Sequence, residues 1–161
     1  MPECVILVGL PGAGKTTFYH QRLSKTHLHI SKDLFATSAR DKQARQDTAV
    51  RAALASGHSV AIDNTNVSTA ERAGIIGIAR AHGARVVGVY IVASTREAVG
   101  RNEGRSGREK VPKVAIFTKA KQLQLPQPSE GYDELRAYRV NEQGLFEEVP
   151  ITPAEPSSSA S

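Results

Sequence analysis

The run VGLPGAGKTT, residues 8–17, limits what this chain can fold into more than any other part of it. It follows the apolar stretch CVIL without a break and holds three glycines, a proline, a lysine and two threonines. A continuous β-branched apolar run marks a strand covered on both faces. The residues behind it can curl sharply, because glycine takes left-handed conformations at no steric cost. Gly9 to Thr16 satisfies G-x-x-x-x-G-K-[ST], between a predicted strand and a helix predicted from Lys15 to about Leu23. In that setting successive N–H groups point at one anion, and the helix N-terminus adds its partial positive charge. Gly9, Gly12, Ala13, Gly14, Lys15, Thr16 and Thr17 are therefore the expected cradle for nucleotide phosphates. Lys15 reaches the β and γ phosphates and the Thr16 hydroxyl ligands Mg²⁺, which makes ATP and Mg²⁺ the expected cofactors. A plain glycine-rich turn is the bland alternative, and it requires neither the strand before nor the helix after.

The rest of the chain alternates strands and helices. HLHIS reads as a short second strand and HSVAID as a third. Between them Ala49, Val50, Ala53 and Leu54 recur at helical spacing, and Gly57 is a natural stop. Ser68 with Glu71, and Ser94 with Glu97, have capping-box spacing for two further helices. RVVGVYIVA between them is the clearest strand after the first. Pro112 can open another helix and Pro126 closes it. LRAYRV and LFEEV are weaker strand candidates. Alternation of this kind predicts an α/β fold of the phosphate-loop NTPase, kinase type. The expected sheet is parallel, of about five strands, with helices on both faces and an arginine-rich lid. Residues 1–149 form the expected domain, and residues 150–161, PITPAEPSSSAS, lack an apolar face and are expected to be disordered.

Composition narrows the class. The chain has 161 residues, one cysteine and a net charge of +5. Cys4 has no partner for an internal disulfide, and in an apolar run it reads as a small buried hydrophobe. No apolar stretch approaches the length of a membrane span, and the N-terminus lacks the basic region of a signal peptide. A cytoplasmic protein without a membrane partner is expected. The positive charge leans weakly toward a polyanionic partner. The aromatic share of 5% leaves few platforms for base stacking and leans the other way.

Two carboxylates stand where chemistry is expected. Asp63 ends the apolar strand of VAIDNTN, the place of a Mg²⁺-associated carboxylate in phosphate-loop enzymes. Asn64 follows it, where motor-type ATPases place a water-activating glutamate, and no [NT]-K-x-D run reads guanine. Both observations favour transfer of a phosphoryl group to something other than water. Asp33 in HISKDLF follows the second strand and falls on the same sheet edge as the loop. It can accept a hydroxyl proton, or it can cap the following turn. Asn64 and Asn66 are expected on the acceptor side of the site, and with Thr65 they are equally ordinary turn formers. Arg96, Arg101, Arg105 and Arg108 supply a lid able to neutralise charge on a phosphoryl group in flight, or a solvated basic helix.

Taken together, GLPGAGKTT, ISKD, VAIDNTN and RNEGR followed by VP resemble the kinase domain of 5′-hydroxyl polynucleotide kinases, over about Val5 to Leu125. The resemblance implies that Lys15 and Thr16 hold ATP and Mg²⁺ and that Asp33 is the base on a 5′-hydroxyl of DNA or RNA. It implies that Arg105 contacts the phosphates in the transition state, with Arg101 near the nucleotide. It also implies an arginine for the acceptor's phosphate. Ala36 occupies one position where the family carries it, Arg40 fits the other, and Lys32 replaces the arginine before Asp33. No D-x-D-x-T phosphatase motif is present, so a kinase without that partner activity is expected. A small-molecule kinase on the same fold and a non-catalytic nucleotide-binding module remain alternatives.

Overall fold

Alternating apolar residues dictate the core. The computed structural model describes residues 1–107 and 110–151; Arg108 and the tail from residue 152 lie outside the described residues. Strand β1, Glu3–Val8, sends Cys4, Ile6 and Val8 into one cluster and Val5 and Leu7 into the other. On the first face Val50, Ala53 and Leu54 of α2, Lys42–Ala55, join Ile75, Ile76, Ile78 and Ala79 of α3, Thr69–Ala81. On the second, Phe18 closes α1, Lys15–Phe18. Ala98 of α4, Thr95–Glu103, and Ile116 of α5, Lys113–Gln122, complete that cover. Cys4 is fully buried, and burial pushes its thiol up to about 12, an inert core residue.

The sheet has six strands in the order β2-β3-β1-β4-β5-β6. Strands β2, His27–Ile30, β3, Ser59–Asp63, β4, Arg85–Ile91, and β5, Glu134–Val140, run parallel with β1. The expected parallel sheet of about five strands is present, and β6, Phe146–Val149, adds a sixth that pairs antiparallel with β5. Its cause is local. Gly144 has φ of 77°, and the Asn141 side chain accepts from the N–H groups of Gln143 and Leu145, reversing the chain without a crossover helix. The helix expected from Lys15 to about Leu23 changes character midway: it is α-helical to Phe18 and π-helical over Tyr19–Leu23. The wider turn carries Tyr19 and His20 beside the loop.

One buried ion pair ties the sheet edge together. Arg72 on α3 is fully buried; its Nε and Nη2 donate to the two carboxylate oxygens of Glu130 at 2.8 and 2.9 Å. Nη1 donates to the carbonyl of Asn66 at 2.9 Å. Burial alone would favour neutral Glu130, but the Arg72 hydrogen bonds outweigh it and hold its carboxyl below the usual range. Removing the arginine strips Glu130 of its counter-charge, leaving the carboxylate only the Gln127 N–H and the Tyr132 hydroxyl, and takes a donor from the buried Asn66 carbonyl. We therefore expect Arg72→Leu to cost about 3–5 kcal/mol. Urea unfolding checks this, and a loss under about 1 kcal/mol would show that the pair is dispensable.

Candidate active site

The loop between β1 and α1 is fixed by its glycines and by what crosses it. Gly12 has φ of 86°, and a Cβ there would stand 2.5 Å from the carbonyl oxygen of Ala98. Gly14 has φ of 110° and forms the cap of α1. Ala13 is fully buried, and the Gly9 N–H donates to the Thr65 carbonyl at 3.0 Å. Lys15 folds back over the loop, and its Nζ donates to the Leu10 carbonyl at 3.0 Å. Burial is the main reason its ammonium is lowered to about 8; Arg105 adds to that, while Asp63 and Asp33 work against it. A buried cation folded over a glycine-rich loop is suited to hold an anion.

Register brings the second carboxylate to this loop. Strands β1 and β3 are parallel neighbours with Leu7 opposite Asp63, so both chain ends leave the sheet at one edge. Thr16 Oγ1 then donates to Asp63 Oδ2 at 2.7 Å. Asp63 is buried, which by itself raises its pKa. The hydrogen bond from His29, the Lys15 charge and the Thr16 hydroxyl overcome that and leave it lowered. The pair fits a Mg²⁺ bound with a nucleotide: one hydroxyl and one ionised carboxylate meet beside a phosphate cradle. Among the described residues there is no group of three or more His, Cys, Asp and Glu able to cage a metal. A nucleotide-bound Mg²⁺ needs none, because phosphates and water complete its shell.

A cleft of about 550 Å³ opens over these groups, lined on the phosphate side by Lys15, Thr16, Thr17, Asp63 and Arg105. Asp33 lines it too. The turn Lys32–Leu34 is capped by Ser31, whose Oγ accepts from the Asp33 N–H at 3.2 Å. The capping alternative for Asp33 therefore falls to Ser31, and the exposed Asp33 carboxylate faces the cleft.

Several expected residues do other work. Asn66 is corrected from acceptor contact to a structural staple. It is 2% exposed in a left-handed conformation, and its Nδ2 donates to the carbonyls of Leu7, Ile62 and Asn64. Asn64 lines the cleft, but its amide is occupied in tying the Lys32–Leu34 turn to α2: Oδ1 accepts from the Lys32 N–H and Nδ2 donates to Gln46 Oε1. Arg40 is exposed and is not among the residues that line the cleft, and Asp41 after it has φ of 52°. Arg101 grips the loop itself, its Nη1 donating to the Ala13 carbonyl at 3.0 Å. Of the other lid arginines, Arg96 is exposed outside the cleft and Arg108 lies outside the described residues.

Three further contributors emerge with the fold: Asn102 and its partner Val111 fall in the RNEGR and VP stretches, whereas Lys119 and His29 carry no sequence signal of their own. Asn102, 1% exposed, exchanges both amide hydrogen bonds with the Val111 backbone at 2.6 and 2.9 Å, closing the base of the lid. Lys119 on α5 lines the cleft opposite no residue that the sequence links to it. His29 contacts Asp63. Only the fold brings these groups to the site.

A family model described as an AAA domain matches residues 4–126. A protein of Acanthamoeba polyphaga mimivirus named "Putative bifunctional polynucleotide phosphatase/kinase" is 29% identical over 140 residues, 83% of this chain. The chain spans 32% of that relative's length. Among solved structures, a fungal RNA kinase superposes with a TM-score of 0.66 at 16% identity, over 90% of this chain and 40% of the other. A gluconokinase from Sinorhizobium meliloti 1021 superposes with a TM-score of 0.61 at 17% identity, over 88% and 84% of the two chains. At these identities the superpositions establish the fold, that of phosphate-loop kinases.

The lowered Lys15 gives a pH signature. Below about 8 the ammonium is charged and attracts polyphosphate; above it the proton is lost. We expect ATP affinity to fall as pH rises past about 8, approaching a tenfold loss per unit. Lys15→Met should bind weakly with a flat profile. Calorimetric titration between pH 7 and pH 10 reads both, and a flat profile in the parent would remove Lys15 from the phosphate site.

Proposed function

The chain belongs to the AAA-domain family, and we propose that it is an ATP- and Mg²⁺-dependent kinase acting on the 5′-hydroxyl end of DNA or RNA. One observation carries the reading: Lys15, Thr16, Asp63, Asp33 and Arg105 line a single cleft. The loop and Lys15 bind the β and γ phosphates. Thr16 and Asp63 would hold Mg²⁺, which screens the phosphate charge when bound. Asp33 takes the proton of the acceptor hydroxyl and aims its oxygen at the γ-phosphorus. The new P–O bond forms as the bond to the β,γ-bridging oxygen breaks, and that electron pair leaves with ADP. Arg105 faces the charge spread over the transferring group.

The acceptor class rests on charge and on relatives. Lys32 and Lys119 line the cleft, and among the described residues neither ammonium has an ion-pair partner. Two such cations in one cleft with Asp33 suit an acceptor that carries phosphate. The viral relative's name and the RNA kinase support the same class. A small-molecule acceptor is the second reading, supported by the gluconokinase likeness. Labelled ATP with a panel of 5′-hydroxyl oligonucleotides, nucleosides and sugars separates them. Label entering sugars alone would overturn the polynucleotide reading.

Asp33→Asn keeps the shape and loses the proton acceptor. It should bind Mg·ATP with a Kd within about threefold of the parent, yet transfer phosphate at least about a hundredfold more slowly. Single-turnover transfer on the same preparation decides it, and a rate within about fivefold would release Asp33 from the role of base.

Lys119→Ala should raise the KM for a 5′-hydroxyl oligonucleotide about tenfold, the lower bound for one charged hydrogen bond, with the KM for ATP unchanged. It should also lower the salt slope of acceptor binding by about one. Arg40→Ala should leave both KM values within about twofold. The reverse pattern would return the acceptor grip to Arg40.

A further inference from the structure

We propose that His29 is a positioning residue: by holding Asp63 Oδ2 it turns Oδ1 toward the cleft and so tightens the site for a divalent cation bound with ATP. The inference rests on the reading that Thr16 and Asp63 serve that cation.

The geometry is specific at one oxygen. His29 Nε2 lies 2.8 Å from Asp63 Oδ2, the same atom that accepts from Thr16 Oγ1 at 2.7 Å. An ionised carboxylate only accepts, so Nε2 carries the hydrogen. Oδ1 has no hydrogen-bond partner among the described residues, and no buried polar side-chain atom is left unsatisfied, so Oδ1 is open to the cleft. With one oxygen doubly held, the carboxylate cannot spin to present the other edge. His29 is held in turn. Its ring stacks on Tyr19 with centroids 4.2 Å apart and planes 16° from parallel. Tyr19 is anchored by its hydroxyl, which donates to the His27 carbonyl at 2.7 Å. His29 itself is not among the cleft-lining residues, so its reach to the site runs through Asp63.

Partners that orient a metal-side carboxylate are commonly worth 10–100-fold in metal affinity. The test uses Mn²⁺ as the probe and does not depend on phosphate transfer. Mn²⁺ binding to the intact protein saturated with ATP is followed by the electron paramagnetic resonance of free Mn²⁺. His29→Phe keeps the stack and loses the donor, and the Mn²⁺ Kd should rise at least about tenfold. His29→Gln carries an amide N–H that reaches Asp63, and its Kd should return to within about threefold of the parent. Should the Phe variant not fold, His29→Asn tests the same loss, because its shorter amide stops short of Asp63. A Kd within about twofold in a folded Phe or Asn variant overturns the inference, as does a Gln variant no better than Phe. Asp63→Asn is the control. If it too leaves Mn²⁺ affinity unchanged, the cation reading fails first; if it weakens binding while His29→Phe does not, only the role of His29 falls.

Discussion

The site depends on one constraint of backbone register. Strands β1 and β3 are parallel neighbours, and Leu7 lies opposite Asp63. Parallel pairing sends the loop after β1 and the turn after β3 out of the same sheet edge. Only then can Thr16 Oγ1 reach Asp63 Oδ2 at 2.7 Å. A slip of one residue would turn Asp63 to the other face and bury a carboxylate among apolar side chains. Asn66 helps fix that register from below: its buried amide bonds to the carbonyls of Leu7 on β1 and Ile62 on β3. One asparagine thus spans the two strands whose ends make the site.

Legibility in the sequence tracks the range of the interactions. The phosphate loop was readable because its glycines, Lys15 and Thr16 act within one turn of chain. Asp63 and Asp33 were readable as positions at strand ends, since an apolar run announces where a strand stops. The structural bonds of Asn66 and Asn102 are hidden from the sequence for one reason. Each bonds to backbone carbonyls or N–H groups, and backbone partners leave no trace in residue type. The place of Arg40 outside the cleft lining is hidden too, and an aspartate such as Asp41 takes a left-handed conformation without advertising it. The β5–β6 hairpin showed only weakly, since its exposed edge strand mixes charge with apolar residues. His29 and Lys119 come to the site from a neighbouring strand and a late helix, which only the assembled sheet and its cover bring together.

Electrostatics in the cleft divide the labour. Lys15 is buried, so its charge is undiluted by water and its proton loosely held. Asp63 is buried too, but hydrogen bonds from His29 and Thr16 keep it ionised. Asp33 is exposed at the cleft. Two carboxylates of one cleft thus differ in environment, the difference on which the proposed division between metal side and base rests.

The hairpin behind the loop bears on where this domain ends. Strands β5 and β6 lie beyond residue 126, past the reach of the family match. Yet Phe146 of β6 packs edge-on against Phe18 of α1 with centroids 5.2 Å apart, and a Cβ on Gly14 would stand 3.6 Å from its ring. Tyr138 of β5 meets Phe18 at 4.9 Å, and Arg22 lies over both rings. The floor of the phosphate loop is therefore built from the last two strands among the described residues. A boundary drawn by family resemblance alone would keep every motif residue and cut away the surface on which the motif rests.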